Sequence, residues 1–228
     1  MKINLLTVCT DVYPIEYARK IIQRVQDLSD FDITPYCLTD RPTEVEKFAT
    51  PIVRKEGIRG WWNKMMLHDP DLPSGWNLYL DIDIVLIKNF DEEIQYAIDA
   101  DKRIACVSDA IGWMNNKFSS SMMLYRTGAL EEIYHKFRRD LSADLQNFRG
   151  GDQVWTGQYL KDTDVLYIDE TYPNLKKNLK FHLGEKVFGQ WIFPPVISNE
   201  IKMVDCGGRP KPHELPHLKY IKHNWVNV

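Results

Sequence analysis

Strand-like and helix-like stretches take turns from the first residues onward, and this alternation narrows the folds open to the chain more than any other feature. INLLTVC (residues 3–9) is a continuous apolar run, YPIEYARKIIQRVQDL (13–28) places apolar residues at helical spacing, and DITPYCLTD (32–40) returns to strand character. That is a βαβ unit. Parallel strands buried on both faces read as uninterrupted apolar runs, and NLYLDIDIVLI (77–87) and RIACVSD (103–109) repeat the pattern. The expected architecture is α/β, a mostly parallel sheet flanked by helices. The longest helical pattern is ALEEIYHKFRRDLSADLQNF (129–148).

The chain's 228 residues, 44% hydrophobic and 27% charged, suffice for a sizeable core. No repeat or composition break marks a linker, so residues 1–228 are expected to form one domain. From about Tyr172 the sequence is rich in proline, glycine and aromatics and reads as an irregular wrapping segment. A formal charge of -3 gives no reason to expect a nucleic-acid partner. The N-terminal apolar run is broken too soon, by Asp11 and Pro14, to act as a signal peptide, and no stretch is long and apolar enough to span a membrane. Cys9, Cys37, Cys106 and Cys206 are widely separated without a C-x-x-C pair. They read as reduced packing residues, and the expected compartment is cytoplasmic.

The most informative chemistry lies in Leu78–Ile87, where Asp81 and Asp83 interrupt an otherwise apolar strand. Burying two carboxylates uncompensated is costly. Residues two apart on a strand point the same way, so both can face one site, where a divalent cation would neutralise them. Open α/β sheets bind ligands at the carboxyl ends of their strands, which is where this run turns acidic.

Tyr79 to Asp83 forms a Y-x-D-x-D motif, and five further segments accompany it along the chain. Together they resemble the glycogenin-like and bacterial lipopolysaccharide-galactosyltransferase-like glycosyltransferases, which have the GT-A fold. Thr7 to Tyr13 is similar to the family's turn after the first strand, one residue shorter; the resemblance implies base and ribose contacts from Val8, Thr10 and Tyr13. Trp61 to Leu67 resembles the T-K-L helix, making Lys64 a phosphate partner. Phe118 to Tyr125 looks like the F-N-[SA]-G-V-x-x-Y strand lining the sugar pocket, with Ser120 in it and Ser119 in place of asparagine. Gly150-Gly151-Asp152-Gln153 reproduces G-G-D-Q, which implies that Asp152 and Gln153 contact the donor sugar and position catalysis.

Asp205 to His213 resembles H-x-x-G-x-x-K-P-W: Gly208, Lys211 and Pro212 match, while Asp205 stands where the family has a metal-binding histidine. The resemblance implies a metal site of Asp81, Asp83 and Asp205, with His213 and His223 as rivals for the third ligand. Mn²⁺ is the expected cofactor, with Mg²⁺ the other hard candidate. Lys211 is expected to hold the diphosphate.

The implied activity is that of a metal-dependent glycosyltransferase, which moves a sugar from a nucleoside-diphosphate donor, expected to be a UDP-sugar, to a hydroxyl of a glycan, lipid or protein acceptor. The resemblance implies retention of configuration, although no opposed carboxylate pair is evident for a double displacement. Two other classes compete: an aspartate-nucleophile phosphatase, which normally carries its D-x-D on the first strand, and a non-catalytic nucleotide-sugar-binding module.

Overall fold

The computed structural model describes residues 1–10, 13–55 and 57–226. Asp11 and Val12 of the turn after the first strand lie outside the described residues. The strands in chain order are β1 (Lys2–Cys9), β2 (Asp32–Thr39), β3 (Thr50–Val53), β4 (Trp76–Leu80), β5 (Ile84–Leu86) and β6 (Ile104–Ser108). They continue with β7 (Phe118–Arg126), β8 (Val165–Tyr167), β9 (Lys176–Asn178), β10 (Glu185–Val187), β11 (Gln190–Ile192) and β12 (Met203–Asp205).

Seven of these form a central sheet in the order β3-β2-β1-β4-β7-β6-β8. Only β7 runs antiparallel to its neighbours β4 and β6; the other pairings are parallel. This is the mostly parallel α/β sheet that the apolar runs predict. Side chains alternate across it, so Ile3 and Leu5 of β1 enter the core under the helix Ile15–Leu28, while Leu6 enters the core on the other face. That helix buries Ile21, Ile22 and Val25 along one stripe and leaves its polar face to water. On the opposite face Trp62 stacks on Phe137 with ring centroids 5.6 Å apart and an 8° interplanar angle. The four cysteines are free and buried.

Two sequence expectations change. The run NLYLDIDIVLI is not one strand: β4 ends at Leu80, Asp81–Ile82–Asp83 form a turn closed by the Ile84 amide on the Asp81 carbonyl (3.2 Å), and β5 belongs to another sheet. Carboxylates at the seam avoid the ladder interior, where they would have no water and no ligand. β5 pairs antiparallel with β12, which pairs parallel with β9, giving a three-stranded sheet. The pattern at 129–148 is likewise split, into Glu131–Asp140 and Ala143–Gln146, because Ser142 Oγ accepts the Leu145 amide and starts a new turn. Residues from Tyr172 onward, irregular in composition, contribute the short strands β9 and β12 to that second sheet and the hairpin β10–β11.

Candidate active site

The β4–β5 turn opens into a cavity of about 460 Å³ at the carboxyl ends of β1 and β4. Its walls are Val8 of β1, Thr10 and Tyr13 after it, Gly60, Trp61 and Lys64 of the 3-10 helix Gly60–His68, Tyr79 to Asp83 without Leu80, and Gly207, Gly208 and Lys211 after β12. Asp81 and Asp83 thus share one hollow even though they do not share a strand. This is the ligand position expected for an open α/β sheet.

Each carboxylate holds an ammonium. Lys64 Nζ lies 2.7 Å from Asp81 Oδ1 and 3.0 Å from Oδ2, and the Tyr79 hydroxyl donates to Asp81 Oδ1. Lys211 Nζ donates to Asp83 Oδ2 and, at 2.8 Å, to the Tyr13 hydroxyl. Burial, reinforced by the neighbouring Asp81 charge, pushes Asp83 up to about 6 despite Lys211. Burial disfavours the ammonium of Lys64, but Asp81 and Asp152 outweigh it and raise the pKa; for Lys211 Asp83 does the same. Both lysines are therefore cations at neutral pH.

Asp152, Gln153 and Ser120 do not line the cavity; they stand beside Lys64. Ser120 Oγ is 3.5 Å from Lys64 Nζ, and the Ser120 amide donates to Gln153 Oε1 at 3.3 Å. Asp152 is buried, which raises its pKa against the opposing pull of Lys64 and Ser120. The helix Gly151–Gly157 that carries Asp152 and Gln153 needs its leading glycine: Gly151 has φ +58°, and a Cβ there would meet Trp61 Nε1 at 2.7 Å.

Asp205 is buried outside the cavity walls. Its Oδ2 accepts from Lys176 Nζ at 2.6 Å and its Oδ1 from the Gly207 amide at 2.8 Å, while Lys176 also donates to Ser121. Burial would raise its pKa; Lys176 overrides this and lowers it. Ser119, in the position of the family asparagine, faces Ser121 on this side of β7, with hydroxyls 3.0 Å apart. His213 contacts the Tyr17 hydroxyl and His223 is exposed; neither lines the cavity. Sequence reasoning missed Lys176, and also Gly207 and Trp61 as cavity walls. The paired glycines at 207–208 and the tryptophan next to Lys64 were visible signals, whereas nothing near Lys176 marked it.

No protein-family model and no curated protein matches the sequence. Solved structures do. Glycosyltransferase GlyE of Streptococcus pneumoniae TIGR4 superposes with a TM-score of 0.63 at 14% identity over 98% of this chain and 61% of its own. The bifunctional glycosyltransferase WbbM gives 0.65 at 11% identity over 99% of this chain and 50% of its own. Galactosyltransferase LgtC, in complex with donor and acceptor sugar analogs, gives 0.63 at 12% identity over 96% and 93%. The fold is therefore that of the GT-A glycosyltransferases, in the form shared with LgtC. The chain spans about three-fifths of the length of GlyE and half that of WbbM.

Proposed function

We propose that the chain transfers a sugar from a nucleoside-diphosphate donor, a UDP-sugar in the reading the resemblance favours, to an acceptor hydroxyl. One observation carries this: a GT-A sheet opens into a cavity holding two carboxylates and two lysines, each carboxylate paired with one ammonium. The pocket side chains are balanced as they stand. A UDP-sugar diphosphate brings two negative charges and a divalent cation two positive ones, so the two enter together without leaving net charge in a partly buried site. Either alone unbalances it.

The donor set supports a hard cation. Asp81 and Asp83 offer oxygen ligands suited to Mn²⁺ or Mg²⁺, and a cation there would offset the burial and the Asp81 charge that disfavour the Asp83 carboxylate. Asp205 fits less well as a third ligand, because both its oxygens already have partners. When bound, the cation would supply Lewis-acid stabilisation of the departing diphosphate.

The chain's own residues account for the rest. Lys64 and Lys211 can exchange their carboxylates for phosphate oxygens, and their charge opposes the negative charge that grows on the leaving group. Tyr13 and Trp61 wall the cavity with aromatic surface suited to a base. Asp152 and Gln153, beside Lys64 and Ser120, are the polar groups nearest to hand for orienting sugar hydroxyls.

The test is slow hydrolysis of UDP-sugars in Mn²⁺ without acceptor. Release of UDP that EDTA abolishes supports the reading; cleavage of p-nitrophenyl phosphate instead would identify a phosphatase, and nucleotide binding without either reaction a binding module.

A further inference from the structure

The hairpin β10–β11 has no part in the cavity, yet it carries a surface that folding does not explain. Of the exposed large hydrophobic residues, four fall between residues 181 and 196: Phe181 (50% exposed), Phe188 (102%), Ile192 (55%) and Val196 (65%). Phe188 is the tip of the hairpin, at φ +48° and followed by Gly189 at φ +83°. Both positive angles describe the tight turn that favours Asn-Gly or Asp-Gly. A bulky aromatic there is strained and buries nothing in the described structure.

Three cations stand among these side chains against two acids, Glu185 across the hairpin from Ile192 and Glu214 in the hollow that holds Arg209. Lys186 lies directly across the hairpin from Trp191, and Phe181 meets the Trp191 ring edge-on at 5.9 Å. Arg209 shares a hollow of about 610 Å³ with Trp191, Ile192 and Phe193. Lys180 reaches over Gly208, the neighbour of Arg209. Among the described residues, Lys180 and Lys186 make no ion pair, and Arg209 has only Glu214. The whole segment shares this bias. Residues 172–228 hold nine Lys and Arg against four Asp and Glu, whereas residues 1–171 hold twenty against twenty-eight.

We infer that the β10–β11 hairpin and its flanks dock on an anionic phospholipid surface. Phe188, Trp191 and Ile192 would enter the headgroup boundary while Lys180, Lys186 and Arg209 meet lipid phosphates. Projecting aromatics ringed by lysine and arginine form the pattern by which proteins lie on, rather than span, a bilayer. Charge selects the occupant and its orientation: the acidic remainder of the molecule is repelled by such a surface and this end is drawn to it. A protein partner would need a pocket to receive Phe188, whereas a bilayer needs none. The inference is independent of the reaction proposed above.

Flotation with vesicles of phosphatidylglycerol and phosphatidylcholine, against phosphatidylcholine alone, tests it. The wild-type chain should bind the anionic vesicles at least 10-fold better than the neutral ones and release in high salt. Phe188→Asn suits the turn, so it should keep or raise the melting temperature while reducing vesicle binding at least 10-fold. Lys186→Glu should weaken the preference for anionic lipid, and UDP affinity should be unchanged in it and in Phe188→Asn. Equal binding to both vesicles, or full binding by Phe188→Asn, would overturn the inference. So would retention on neither vesicle, which would leave the patch to a protein partner.

Discussion

Lys176 and Asp205 form a buried ion pair, Nζ to Oδ2 at 2.6 Å, between the neighbouring strands β9 and β12 at the back of the candidate active site. Removing one member of such a pair strands the other. Lys176→Met is expected to cost about 3–5 kcal/mol, and Lys176→Met with Asp205→Asn distinctly less. The single variant also frees a carboxylate close to Asp83, which already feels its charge. Its melting temperature should therefore rise more on adding Mn²⁺ than that of the wild type or the double variant. Thermal unfolding with and without Mn²⁺ measures this, and an equal response in all three would show that Asp205 cannot reach the metal.

The two cavity lysines should be separable by kinetics. Lys211→Met is expected to lower kcat about 100-fold with a smaller change in KM, since its attraction strengthens as the diphosphate leaves. Asp83→Asn should abolish transfer and leave the melting temperature within a few degrees, because burial and the Asp81 charge already disfavour this carboxylate and Lys211 keeps the Tyr13 hydroxyl. Steady-state kinetics of UDP-sugar hydrolysis distinguish the cases, and a change confined to KM would reduce Lys211 to a binding contact.

Stability should depend on pH through His68. Burial, with a minor push from Arg103, lowers its pKa to about 3; its Nε2 lies 3.4 Å from Thr156 Oγ1, and Nδ1 has no partner among the described residues. The unfolded chain takes up a proton near pH 6.5 and the folded one does not until about 3. Stability is therefore full above the unfolded value and falls as pH drops from 6.5 toward 3, by about 1.4 kcal/mol per pH unit from this group. His68→Gln should flatten denaturant midpoints across that window. An unchanged slope would mean that the imidazole ionises in place.

Gly151→Ala should harm the site from a distance. Its φ of +58° is unfavourable for alanine by about 1–2 kcal/mol, and the added methyl strikes Trp61, a cavity wall. Weaker UDP binding together with lower stability is the expected outcome, readable by calorimetry. A loss of stability with full UDP affinity would detach Trp61 from the donor.

Much of this was legible in the residues because local pattern and local structure agree there. The apolar runs at 3–9, 32–40 and 103–109 each became a strand of the central sheet, and Lys64, Asp81, Asp83 and Lys211 came to line one cavity. The hidden part is long-range. An apolar run looks the same whether it stays in one sheet or crosses to another, so the break between Leu80 and Ile84 could not be read from its period. Lys176 gave no sign, because its meaning depends on Asp205, 29 residues away, and on a strand pairing that no motif announces.

The turn Asp81–Ile82–Asp83 joins two sheets that otherwise have separate ladders. Lys64 and Asp81 face the cavity from the side of β4, whereas Asp83, Gly207 and Lys211 face it from the side of β5 and β12. A donor gripped from both sides would act as a tie between the two ladders, beyond the core that they already share. Amide protons of β5, β9 and β12, which belong to the smaller sheet, should then exchange more slowly when it is bound, while those of β1 and β2 change little. The seam would make the small sheet's persistence, as well as its chemistry, depend on the supply of donor.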